Sequence, residues 1–261
     1  MKTLGVDTSS EISSADFIDR EYEINVLHKY IDSRMCCQVI GPSGIGKSRL
    51  LMQVAKLAPE WSPSFKVAYV ALREGPVQTI EGFVRAVCNW LVGNPVSGST
   101  KDLLQILEGL IEEGMRPILC LDDFEEFTAE KREFTSDFFL DMRFLAQRGV
   151  SFIVSSRVPL STLFPSISPV SPFFGVFAIL RLGPLPSSEV EDFLVLYEKD
   201  GVRFSPEERN MIIGFSKGFP ERLLAAYQFA AQGKHQGETV GVSLEKAETH
   251  LREMLNASYE H

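Results

Sequence analysis

The 261-residue chain is 44% hydrophobic and 23% charged, an ordinary balance for a globular protein of one or two domains with a sizeable core. Its net charge of −9 sets a field that repels a phosphate backbone, which disfavours direct nucleic-acid binding without excluding it. No apolar run approaches a membrane span, and the N-terminus lacks both a signal-peptide core and an Arg-rich transit pattern, so a cytoplasmic protein with no membrane partner is expected.

Residues 1–15 are Ser/Thr-rich and read as a flexible tail. Asp16 to Glu21 then lead into Ile24, Leu27, His28 and Ile31, whose spacings of three and four predict an amphipathic helix. Cys36 to Ile40 reads as a short buried strand. It runs into Gly41-Pro42-Ser43-Gly44-Ile45-Gly46-Lys47-Ser48, and Arg49 to Ala55 follows with the periodicity of a helix. A strand, a G-x-x-x-x-G-K-[ST] loop and a helix form a phosphate-binding P-loop. Glycines let the backbone wind around a polyphosphate, and the wound N–H groups and the helix dipole point at the anion. In this pattern Gly41 to Ser48, with Arg49, cradle a nucleotide. Lys47 reaches the outer phosphates, and the Ser48 hydroxyl ligates Mg²⁺.

A second strand is predicted at Lys66 to Leu72 and a helix over 77–92, broken by Gly93-Asn94-Pro95. Ser99 or Thr100 caps the next helix, which carries Leu103, Leu104, Leu107 and Ile111. Pro117 to Asp123 is an apolar strand ending in two acids. A long helical segment with Phe127, Phe134, Phe138 and Leu145 on one side follows. Val150 to Val154 reads as a strand running into Ser155-Ser156-Arg157, and a proline-rich loop leads to a last strand near Val176 to Leu182. The apolar run Phe173 to Leu182 fits a buried strand. Strands alternating with helices imply a parallel sheet covered on both faces. After Gly183 the texture is helical only. Ser187 or Ser188 is a candidate cap, Ser205-Pro206 opens a second helix, and Gly218-Phe219-Pro220 precedes a third. The expected organisation is a tail over 1–15, a P-loop domain over 16–183 and a helical lid over 184–261. Cys36, Cys37, Cys88 and Cys120 have no C-x-x-C spacing and read as buried reduced thiols.

Asp122 closes an apolar strand, where a carboxylate can share Mg²⁺ with Ser48. Asp123 is the favoured general base because position decides reach, while Glu125 and Glu126 read as a solvated helix start. Arg157 ends the next strand on the same sheet edge and is a candidate contact for the γ-phosphate. Arg132, Arg143 and Arg148 are candidate arginine fingers for a neighbouring subunit, and Arg222 is a candidate phosphate contact or a surface residue.

The order Phe17-Ile18-Asp19-Arg20-Glu21, P-loop, Leu121-Asp122-Asp123, Ser155-Ser156-Arg157, Leu182-Gly183-Pro184-Leu185 and Gly218-Phe219-Pro220 resembles the STAND class of AAA+-related ATPases, from residue 16 onward. The resemblance implies an α/β fold with a parallel five-stranded P-loop sheet in the order 5-1-4-3-2 and a helical lid. It also implies ATP or ADP with Mg²⁺ as ligands, and Phe17, Ile18, Arg20 and Pro220 around the base. Asp19 stands where such families carry Gly. The function implied is a slowly hydrolysing ATPase switch whose lid and assembly follow ATP against ADP, through self-association or a protein partner. The alternative is an oligomeric AAA+ loader or transposition-type regulator acting on nucleic acid or a protein client. A small-molecule kinase is disfavoured by the paired acids and the separate lid. The loop Val158 to Phe174 offers either a partner surface or aromatic side chains folded back on the sheet.

Overall fold

The computed structural model describes residues 20–93, 96–127, 134–164, 172–198 and 202–257. It divides into two compact units, one of Arg20–Pro184 with Phe219–Arg222, the other including Leu185–Gly218 and Leu223–His261. The expected tail over 1–15 lies outside the described residues.

The first unit opens with α1 (Glu21–Asp32), β1 (Cys36–Ile40), α2 (Lys47–Trp61) and β2 (Phe65–Ala71). It continues through α3 (Ile80–Val92), α4 (Thr100–Glu112), β3 (Arg116–Asp122), α5 (Ser136–Gln147), β4 (Ser151–Ser156), α6 (Leu160–Leu163) and β5 (Phe177–Arg181). The strands form one parallel sheet in the order β2-β3-β4-β1-β5, the expected order counted from the other edge. Every residue of β1 and β4 is buried, as suits parallel strands covered on both faces.

Four local expectations change. The run Phe173 to Leu182 is not one buried strand: Pro172–Val176 make a 3₁₀ turn that drives Phe173 into the core. The strand proper then runs along a sheet edge, where Ile179 is 49% exposed. The helix expected from residue 77 starts at Ile80, because a 3₁₀ turn occupies Gly75–Gln78 and the Thr79 hydroxyl caps the helix by accepting from the Gly82 N–H. Among the described residues, the helical segment expected after the paired acids opens as a tight 3₁₀ turn, Phe124–Phe127, and its helix proper is α5 from Ser136, which carries Phe138 and Leu145. Finally, Ser155 and Ser156 belong to β4 rather than following it. Ser99 caps α4 as expected, in a reciprocal pair with Asp102.

Aromatic side chains dominate this core. Phe83, Phe124, Phe139, Phe152 and Phe173 are fully buried, each contributing about 1.5–3 kcal/mol by removal from water. Edge-to-face contacts such as Phe83–Phe127 (5.5 Å) and Phe139–Phe164 (5.2 Å) tie them together. Leu160, Phe164 and Phe173 lie in this core and Leu163 and Phe174 pack on it, so the described part of the 158–174 loop folds back on the sheet. Residues 165–171, with Pro165 and Pro169, lie outside the described residues. All four cysteines are free and buried; burial raises the thiols of Cys36 to about 11 and Cys37 to about 12, leaving them unreactive.

The second unit holds α7 (Ser187–Tyr197), α8 (Pro206–Ser216), most of α9 (Pro220–His235) and α10 (Val240–Ala257). Ser205 and Glu208 cap α8 reciprocally, with Pro206 at its first position. Ser187 does not cap α7: it is the first helical residue, and Pro186 precedes it without a side-chain bond. Val190, Phe193, Leu194, Phe204, Ile212 and Leu223 form a core of their own, and Arg209 of α8 pairs with Glu198 at the end of α7. Among the described residues, no helix is long and apolar enough to cross a membrane.

Candidate active site

The P-loop leaves β1 with its start held from both neighbouring strands. The Gly41 N–H donates to the Ser156 carbonyl at 3.2 Å, and the Leu182 N–H donates to the Ile40 carbonyl at 2.8 Å. Ile45 is fully buried beneath the loop. Gly44 and Gly46 have φ of +73° and +98°, backbone that a side chain would strain. Pro42, Ser43 and Arg49 are exposed and Ser48 is half-buried at the start of α2. The Lys47 ammonium donates to the carbonyls of Gly41 at 2.9 Å and Pro42 at 3.0 Å. Burial lowers its pKa, while Glu125, Asp123 and Asp122 oppose that shift.

Arg20 braces this loop from outside. Its guanidinium donates to the Ile45 carbonyl at 3.1 Å, the Gly183 carbonyl at 2.8 Å and the Glu23 carboxylate at 3.0 Å. The P-loop is thereby joined to the end of β5 by a nearly buried residue. Phe17 and Ile18 lie outside the described residues. Phe219–Arg222 group with this unit: the Glu221 N–H donates to the Gly44 carbonyl at 3.3 Å, and a Cβ on Gly46 would meet Pro220 Cγ at 3.5 Å.

The acids stand at the carboxyl end of β3. Asp122 is buried; the Tyr69 hydroxyl donates to its Oδ2 at 3.0 Å and the Ser155 hydroxyl to its Oδ1. Asp123 turns the chain sharply with a φ of 56°, a conformation that costs a non-glycine residue about 1–3 kcal/mol and gathers at functional sites. Its N–H donates to Ser155 Oγ at 2.9 Å and its Oδ2 pairs with Arg73 Nε at 2.9 Å. Burial, then the Asp122 charge, raise the Asp123 carboxyl to about 6, against the opposing pull of Arg73.

Glu125 corrects an expectation. Rather than a solvated helix start, it is 7% exposed, and Arg157 Nε donates to its Oε1 at 2.7 Å. The tight turn over Phe124–Phe127 carries it inward. Arg157 is thus beside the paired acids, held by a carboxylate. Glu126 is less buried and lies 3.8 Å from Arg73. Arg148 and Arg143 stand elsewhere. Arg148 caps α5 just before β4 begins, near Glu108; Arg143 acts electrostatically on Cys36, the first residue of β1. Both therefore mark the amino ends of the strands, opposite the P-loop. Arg132 lies outside the described residues.

Three contributors escaped the sequence reading: Arg73, Tyr69 and Gln38. Gln38 is buried within β1, donating to Ser156 Oγ at 2.7 Å and the Val158 carbonyl at 3.0 Å and accepting from the Leu160 N–H at 3.3 Å. An amide inside the run Cys-Cys-Gln-Val-Ile was the available signal, since buried polar groups demand partners. For a metal, the Ser48 hydroxyl and Asp122 carboxylate supply the hard oxygen donors that Mg²⁺ prefers. For a triphosphate, the wound glycine backbone, the Lys47 ammonium and the start of α2 make a fitting cradle.

The AAA domain family model matches residues 30–158, from α1 to just past Arg157. No curated protein is significantly similar in sequence. Among solved structures, the Walker-type ATPase paby2304 of Pyrococcus abyssi superposes with a TM-score of 0.77 at 15% identity, covering 95% of this chain and 76% of that one. The ORC2 protein of Aeropyrum pernix, solved as ADPNP and ADP complexes, gives 0.66 at 16% identity over 87% of this chain. The ORC1 protein of the same organism, solved with DNA, gives 0.66 at 17% identity over 90%. The chain spans 66% of the length of each ORC protein. These likenesses do not single out the STAND class, and one of the matched structures holds DNA, so net charge alone does not decide against nucleic acid. In its described residues the chain has the α/β P-loop fold of the AAA+ ATPases, a five-stranded parallel sheet followed by a helical part.

Proposed function

We propose that the chain is a Mg²⁺-dependent AAA+ ATPase that assembles with ATP and acts as a loader or transposition-type regulator on nucleic acid or a protein client. One observation carries this reading: Lys47, Asp122, Asp123 and Arg157 converge on the carboxyl ends of the adjacent strands β1, β3 and β4. That is the edge at which α/β sheets bind ligands. Gly41 to Arg49 hold the phosphates, with Lys47 leaving its backbone carbonyls for the outer phosphates. Ser48 and Asp122 hold Mg²⁺, which neutralises charge on the phosphates when bound. Asp123, with its carboxyl near 6, is ionised at neutral pH yet basic enough to take a proton from water. Arg20 and Pro220 flank the base.

A second reading, a slow STAND-type switch, draws on the Arg157–Glu125 pair. A γ-phosphate would compete with Glu125 for the guanidinium and ADP would not, which gives the two nucleotides different effects on one element. Phosphate release measured with and without duplex DNA, alongside sedimentation in ATP and in ADP, separates the two. ATP-driven assembly with DNA-stimulated turnover supports the loader. About one ADP per chain retained through purification, with no response to DNA, supports the switch. Failure to bind either nucleotide refutes both.

A further inference from the structure

Asp122 is gripped from both sides of its strand. The β2–β3 register pairs Ala71 with Asp122 and Tyr69 with Cys120. Side chains alternate along each strand and paired residues share a face, so Tyr69 stands one diagonal step back from Asp122 on the same face. A phenol spans that diagonal, and its hydroxyl reaches Oδ2 at 3.0 Å. From β4, Ser155 reaches Oδ1 and in turn accepts the Asp123 N–H. Each carboxylate oxygen therefore has one donor. An ionised carboxylate offers about four lone-pair sites, so about two remain for a cation or its water.

The terminal torsion of an aspartate is broad and roughly two-fold, so packing alone does not orient its oxygens. We propose that Tyr69 is a positioning residue for magnesium: its hydroxyl, opposite that of Ser155, fixes the rotation of the Asp122 carboxylate on which Mg²⁺-dependent nucleotide binding depends. The proposal rests on the ATPase reading above. The ring of Tyr69 is half-buried on β2, a setting that phenylalanine fills equally well, so the hydroxyl is the part that requires explanation.

The test is ATP binding by calorimetry on the full chain, in EDTA and across a Mg²⁺ titration. Tyr69→Phe should leave affinity in EDTA unchanged while raising the Mg²⁺ needed for half-maximal tightening roughly fivefold, the worth of one hydrogen bond. In an Asp122→Asn background the same substitution should add nothing further, because the two act through one group. Ser155→Ala, which removes the other donor, should show the same Mg²⁺-selective loss and serves if Tyr69→Phe does not fold. An unchanged Mg²⁺ requirement, an equal loss with and without Mg²⁺, or additive effects in the double variant would each overturn the proposal. Wild-type protein that binds no ATP in either condition would instead refute the ATPase reading, and this proposal with it.

Discussion

Asp123 is a carboxylate that the fold disfavours in its charged form, and replacing it by asparagine should stabilise the protein while disabling it. Its pKa rises from 3.8 to about 6 on folding, equivalent to about 3 kcal/mol at 1.36 kcal/mol per pH unit. The sign follows from linkage. With the folded pKa above the unfolded value, the folded state binds the extra proton, so this group's favourable contribution is complete below pH 3.8 and is lost as pH rises through 6. Asparagine mimics the neutral form at every pH. Its loss of the Arg73 pair costs about 0–1 kcal/mol, since the arginine is 54% exposed. The net expectation for Asp123→Asn in EDTA at pH 7.5 is a gain of about 2–3 kcal/mol, or roughly 4–12 °C in Tm, shrinking to nothing near pH 4. Phosphate release by the same variant should slow at least about tenfold while ATP·Mg²⁺ still binds, as expected for loss of a general base. Thermal melts from pH 4 to 8 check the first part and a phosphate assay the second. An asparagine variant that is no more stable at pH 7.5, or equally stabilised at pH 4, would refute the burial argument; wild-type turnover would move the base to Glu125.

Lys47→Ala should abolish triphosphate binding, measured by calorimetry; retained binding would remove the P-loop as the phosphate site. Arg157→Ala should reduce the preference for ATP over ADP roughly tenfold, the worth of one charged hydrogen bond. Equal affinities before and after, by competition binding, would make Arg157 a partner of Glu125 alone. Gln38→Leu removes three hydrogen bonds at the end of β4 and leaves the Leu160 N–H without its acceptor. It should destabilise the protein by about 2–4 kcal/mol in urea. A cost below about 0.5 kcal/mol would show that the segment after Arg157 repacks freely.

What this chain determines by local pattern is the order of its elements and the chemistry of its loop. The eight residues from Gly41 to Ser48 carry a backbone path that few sequences permit, and they stand between a short apolar run and a segment with the 3.6-residue period of a helix. The caps at Ser99 and Ser205 were equally legible, because a helix start is decided by residues three apart. The strand order came with the resemblance, since β4 enters between β1 and β3 only through crossovers that no local pattern encodes. Tertiary structure alone decided the fate of the acids. The segment after Asp123 looks like a helix start by composition, yet burial of Phe124 and Phe127 forces a tight turn that carries Glu125 inward to Arg157. The partners of Asp122 and Asp123, Tyr69 on β2 and Arg73 in the turn just after it, stand about fifty residues earlier in the chain, and only the register of β2 against β3 brings them to the carboxylates. Side chains that meet across a sheet are chosen by register, and register is a property of the packed core rather than of any one strand.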